Sequence, residues 1–313
     1  MSIGLLLVLV GCRSKERAIA SALPDQARPE REGAIPSDAP KITPDLDHHP
    51  PVLHSLEFLD PVPLPGPVNT AGAEDSPFIS PDGQMLFFFF TPDVDVPPEK
   101  QLLDGVTGIY LTRWTEDSWG EPVRVFLQED GKLALDGCGF FDGAALWFCS
   151  AREGYTGIHW FKADRVNGNW AAPTRVEFDD AYEVGELHIH DGELYFHSQR
   201  PGGKGAMDLW VSREEAGVWQ PPENLAAVNT EYAEGYPFIT VDGQELWFTR
   251  WHQGTPAIFR SVREDEGWGE PELIISQFAG EPTLDPQGNV YFVHHFYQDG
   301  EMIEADIYVA KRK

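Results

Sequence analysis

The sequence predicts an all-β chain: a β-propeller of five four-stranded antiparallel blades, closed by an N-terminal strand. Three series of motifs predict it, and they share one period. Trp119-Gly-Glu-Pro122, Trp170-Ala-Ala-Pro173, Trp219-Gln-Pro-Pro222 and Trp268-Gly-Glu-Pro271 recur at steps of 51, 49 and 49. Ile109, Ile158, Leu209, Ile258 and Ile307 recur at steps of 49, 51, 49 and 49. Asp82-Gly83, Asp142-Gly143, Asp191-Gly192 and Asp242-Gly243, with Gln287-Gly288 as a variant, form the third series. Self-similarity at a fixed period of this length marks a repeat architecture.

Each unit reads as a strand, a tight turn, a strand, a loop, a third strand, a short turn, and a fourth strand opening with Trp-x-x-Pro. Glycine in the turn supplies the positive φ that such turns need. Runs apolar on both faces, such as Phe87-Phe88-Phe89-Phe90, suit strands sandwiched between neighbouring sheets. Proline in the fourth strand fits an outer edge, where no ladder donor is lost. Four such strands in about fifty residues make a propeller blade. The fifth unit ends at Lys313 with no Trp-x-x-Pro strand, while Phe58-Leu-Asp-Pro61 precedes the first unit at matching spacing. Residues 54–64 are therefore expected to complete the last blade.

Ahead of the repeats, Ile3 to Val10 is an apolar run that suits a signal peptide and is too short to span a bilayer. Leu9-Val10-Gly11-Cys12 resembles the bacterial lipobox, so Cys12 is expected to carry the lipid; no Lys or Arg precedes the run. Residues 13–50 mix Ala, Pro and charges of both signs without period, which predicts a tether. The expected division is 1–12 signal peptide, 13–50 tether and 51–313 propeller.

The formal net charge is −28, with 51 acidic against 23 basic residues. Phosphate binding needs clustered Lys and Arg, so no nucleic-acid partner is expected. An electrostatic hold on anionic lipid is excluded on the same ground, leaving the lipid anchor as the membrane attachment.

Ser198-Gln-Arg-Pro-Gly-Gly-Lys-Gly-Ala-Met-Asp-Leu-Trp-Val-Ser212, Trp219 to Thr230, and Glu234-Gly-Tyr-Pro-Phe-Ile-Thr-Val-Asp-Gly243 resemble the TolB-like propeller repeat, also found beside OmpA-like domains. The resemblance covers about residues 55–313; Gly137 in the second unit and Gln287 in the fifth depart from it. It implies a periplasmic or outer-membrane scaffold or recognition surface and no particular reaction.

First strands of blades line the central channel, and their starts carry Glu74, Asp136, Glu183, Glu234 and Glu281. These acids either ring the channel mouth or bond backbone N–H groups within each blade. Loops expected at the same mouth carry Arg152, Arg200, Arg250, Trp251, His252, His294, His295 and Tyr297. Arg beside aromatics suits carboxylates and sugar faces. The expected function is non-catalytic binding of an envelope protein, peptide or glycan at that mouth by a monomer, with no cofactor and no metal. The alternative is a glycoside hydrolase of the arabinanase type using Glu74, Asp136 and Glu183. His188, His190 and His197 are read as blade-interface residues in preference to metal ligands. Cys138 and Cys149 lie in one hairpin, paired or free according to the turn register.

Overall fold

The computed structural model describes residues 30–129, 131–178, 182–265 and 267–313. The signal segment and Cys12 lie outside the described residues. Among those described, strands dominate, and the one α-helix, Pro98–Asp104, is a short insertion between two strands of the first unit. No described helix is long and apolar enough to cross a membrane.

Every repeat unit folds as an antiparallel meander. In the first unit the strands are Ala73–Ile79, Met85–Thr91, Gly108–Thr115 and Val123–Arg124, paired in that order. The second unit (Ala134–Phe141 to Thr174–Val176), the third (Leu187–His190 to Glu223–Asn224) and the fourth (Glu234–Ile239 to Glu272–Ser276) repeat the pattern. The fifth supplies Ala279–Leu284, Val290–Gln298 and Glu301–Ala310. The turn glycines Gly83, Gly143, Gly192, Gly243 and Gly288 all have φ between 71° and 97°, the conformation the sequence pattern demands of them. Trp119, Trp170, Trp219 and Trp268 do not open the fourth strand as expected. Each sits in a two-residue strand folded back on the third, and the outermost strand follows its proline.

The N-terminal residues join two sheets. Val62–Pro63 pairs antiparallel with Val309 and Tyr308 of the fifth unit, and Phe58 bridges Arg312. Val52–Leu53 adds to the outer edge of the fourth unit at Ser276 and Ile275, covering an edge that would otherwise offer free backbone groups. Each unit's first strand packs against the first strand of the next, and the fifth's against the first's. Phe78, Phe140, His188 and Phe238 meet there, with ring centroids 4.7–6.1 Å apart.

Residues 31–49 are not the free tether expected of them. Arg31 is 7% exposed and donates to the carbonyls of Pro67 and Val68. Lys41 pairs with Glu304 and Asp306, and Asp47 stands 2.9 Å from His294. The composition of the segment shows no period because its few anchoring side chains insert singly into the domain.

Candidate functional site

One arrangement recurs where the first and second strands meet. In the second unit Asp136 accepts from the Ser150 hydroxyl and from Arg152 at 3.0 Å, and that guanidinium lies over Phe148 and Phe161 at 5.0 and 4.7 Å. In the fourth unit Glu234 accepts from Thr230 and from Arg250 at 2.8 Å, with Arg250 over Phe248 and Phe259 at 5.4 and 4.4 Å. The first unit has no arginine of its own at this place. Arg31 fills it from outside the repeat, 3.6 Å from Glu74 and over Phe88, Phe90 and Tyr110. Glu74 also accepts from the Thr70 N–H and hydroxyl. Burial outweighs Arg31 and pushes the Glu74 carboxyl up to about 8.

These stacks correct the expected binding set. Arg152 and Arg250 are engaged with acids and rings and are not presented at the mouth. Arg200 is 7% exposed, over Phe196 at 4.7 Å and Trp210 at 5.5 Å. The acidic ring also divides. Glu74, Asp136 and Glu234 share one slot, buried and bonded, whereas Ala279 holds that slot in the fifth unit, by its pairing with His294. Glu183 is exposed and precedes its strand, and its carbonyl accepts from the Ser198 hydroxyl. The three-carboxylate set of the hydrolase reading is therefore not assembled from Glu74, Asp136 and Glu183.

A bulge explains the division. The ladder between first and second strands shifts register at Asp75/Phe78, Gly137/Phe140, Gly235/Phe238 and Gly280/Thr283. At each shift a non-glycine residue has positive φ: Ser76 at 47°, Cys138 at 54°, Tyr236 at 56° and Glu281 at 55°. Bulges re-aim side chains, and these line the cavity where the first strands meet, together with Glu186. Asp75, Glu186, Glu281 and His295 thus gather at the centre, and sequence reasoning missed Asp75 and Glu186. Burial pushes Glu186 up to about 8, with the Asp75 charge adding to it. Burial, then Glu186 and Asp75, raises Glu281 well above the carboxylate range. Asp75 stays low despite burial because His295 stands 3.5 Å away. His295, expected at the mouth as a ligand contact, is this ion-pair partner.

Among the described residues, the histidines of the third unit form no common group of ligand atoms. His188 lies among the phenylalanine rings, where burial depresses it to about 3. His197 accepts from the Tyr236 N–H at 3.2 Å, and burial depresses it to about 4. His190 faces Asp191 at 3.6 Å. Cys138 and Cys149 form a disulfide; Cys149 pairs with Gly137 across the ladder, and the bulge brings Cys138 to it.

Beside that disulfide opens a cavity of about 270 Å³, lined by Trp160, Phe178, Tyr182, Glu183, Glu186, His197 and Tyr236 among others. At the same end of the units stand exposed aromatics: Tyr155, Tyr182, Tyr232 and Trp251 are 45–53% exposed. The backbone N–H of Trp251 donates to the Ala233 carbonyl, holding this part of the main chain beside the entry of the fourth unit's first strand.

No family model matches the chain, and no curated protein does. Among solved structures it is similar to TolB from Acinetobacter baumannii, at 13% identity and TM-score 0.45 over 78% of this chain and 56% of that one. It is similar to a xylan β-1,4-xylosidase from Bacillus halodurans C-125, at 13% identity and TM-score 0.45 over 79% and 54%. A third is Trypanosoma rangeli sialidase, at 12% identity and TM-score 0.40 over 79% and 46%. The chain spans about half the length of each of these three.

Proposed function

We propose that the five units are blades of a closed propeller, held in the bacterial cell envelope by a lipid on Cys12, which binds a protein, peptide or glycan partner at its mouth without catalysing a reaction. Closure is supported by equivalence of contacts. Phe58 bridges Arg312 and Pro63 pairs with Tyr308, as Trp119 pairs with Trp114 and Arg124 with Tyr110. Asn69 exchanges hydrogen bonds with the backbone of Ile307, as Asn229 does with that of Leu209.

The observation that carries the binding reading is the split between consumed and offered groups. The repeat's acids and arginines are spent on each other inside the blades. Aromatic side chains are offered at the entry end instead: Tyr182, which lines the cavity of about 270 Å³, and the exposed Tyr155, Tyr232 and Trp251. Rigid amphipathic rings on a fixed scaffold are a common composition of recognition surfaces. The test is a binding screen of the purified chain against peptidoglycan fragments, envelope glycans and envelope proteins. Trp251→Ala and Tyr182→Ala should each weaken the ligand found by about 1–3 kcal/mol at unchanged melting temperature. Loss of stability with intact affinity would reassign these rings to packing.

One observation favours the hydrolase reading. Glu186, protonated up to about pH 8, lines both the central cavity and the larger one, with ionised Asp75 close by. A proton-bearing carboxyl near an ionised one is the pairing glycoside hydrolysis uses. Release of reducing sugar from arabinan or xylan by the parent and not by Glu186→Gln would replace the first reading with this one.

A further inference from the structure

Asp75, Glu281 and His295 come from three strands and two units, the first and the fifth. Each offers one ligand atom, and these atoms lie within 4.8 Å of one another. Local bonds hold two of the residues in place. Asp75 accepts the Ser76 N–H with one oxygen, and the other faces His295. The Glu281 N–H donates to the Thr249 hydroxyl at 2.8 Å.

Two buried atoms here lack a protein partner: Oε2 of Glu281, and Nδ1 of His188, a residue only 6% exposed. Both side chains line one cavity of about 40 Å³, enough for an ion with a water. Buried polar atoms are nearly always satisfied, so two such atoms on one small cavity point to a ligand within it. Its charge follows from the walls. Three carboxyl groups, Asp75, Glu186 and Glu281, converge there on one basic side chain, His295. A cation lets these carboxyls ionise together, which a neutral ligand does not.

We propose that Asp75, Glu281 and His295 bind one divalent cation of the Zn²⁺ or Mn²⁺ class at the centre of the fold. Carboxylates mixed with an imidazole suit these ions, whereas Ca²⁺ and Mg²⁺ favour oxygen-only sets. Ligand atoms around such an ion are at most about 4.2 Å apart, from bonds of about 2.1 Å, so the three side chains draw together slightly on binding. Three protein ligands leave further positions for water, and Glu281 joins the trio to the cavity of about 40 Å³ that Glu186 and His188 also line. The ion ties the first unit to the fifth across the meeting of the chain's two ends. The proposal holds whichever ligand the rim binds.

The experiment uses the full chain carrying Cys12→Ser, so that no free thiol competes, stripped with EDTA and titrated calorimetrically with Zn²⁺, Mn²⁺ and Ca²⁺. Zn²⁺ or Mn²⁺ should bind at one per chain, with Ca²⁺ weaker, and should raise the melting temperature. Glu281→Gln and His295→Gln should each weaken binding by more than the ten- to hundredfold that changes outside the ligand set cost. Because either substitution can disturb the fold, Co²⁺ is added to the parent as a second readout: its visible absorption should report one bound imidazole and no thiolate. Absence of saturable binding below about 1 mM, or one-per-chain binding that survives both substitutions in folded protein, overturns the proposal, the latter by placing the ion on surface carboxylates.

Discussion

Arg31→Ala removes a cation that the repeat itself does not encode. The guanidinium lies 5.0–5.7 Å from the centroids of Phe88, Phe90 and Tyr110, which contributes about 2 kcal/mol for a desolvated cation over rings. Its pairing with Glu74 depends on pH. The folded Glu74 pKa of about 8 lies above the ordinary 4.5, so the folded chain holds an extra proton between those values. Stability is therefore fullest below about pH 4.5 and falls as pH rises through 8. At pH 6 the carboxyl is neutral and the variant loses mainly the ring and carbonyl contacts, about 2–3 kcal/mol. At pH 9 the variant leaves a buried carboxylate without its cation, and such losses run to about 3–5 kcal/mol. At about 2–3 °C per kcal/mol for a domain of this size, Tm should fall by about 4–9 °C at pH 6 and by about 6–15 °C at pH 9. Thermal melts followed by circular dichroism at the two pH values read this directly. Equal shifts at both, or none at either, would refute the coupling of Arg31 to Glu74.

Asn69→Ala should cost about 2–4 kcal/mol in urea unfolding, because it deletes buried bonds to Leu64 and Ile307; a cost far below that of Asn229→Ala would argue against an equivalent closing contact. Reduction of the Cys138–Cys149 bridge, separated by 11 residues, should destabilise the chain by about 3 kcal/mol, and thiol titration of the unfolded, unreduced Cys12→Ser chain should find no free thiol. Cys12→Ser should move the protein from the membrane fraction to the soluble one, and persistence at the membrane would remove the lipid anchor from the account.

The repeat, the turns and the strand order were legible because each rests on a local requirement: glycine at positive φ, proline after the third strand, apolar residues on both faces of sandwiched strands. The centre was not legible, because one residue of bulge decides which side chain faces it. Ser76, Cys138, Tyr236 and Glu281 adopt positive φ without being glycine, so nothing in their identity announces the bulge. Glu281 was consequently grouped with Glu74, and Asp75 and Glu186 were passed over. The roles of Arg31, Lys41 and Asp47 were hidden for a different reason. Single long-range contacts leave no periodic trace, and a segment anchored by three side chains has the composition of a linker.

The same bulge separates what holds the molecule together from what its interior displays. Side chains at the bulged positions are serine, cysteine, tyrosine and glutamate, residues with no chemistry in common, on a backbone that hardly changes. Each of these four units thereby carries one interchangeable socket, and the sockets open on a shared chamber. Rewriting them in combination should alter the chemistry of that chamber without redesign of a single strand, which makes this chain a frame for installing new centres.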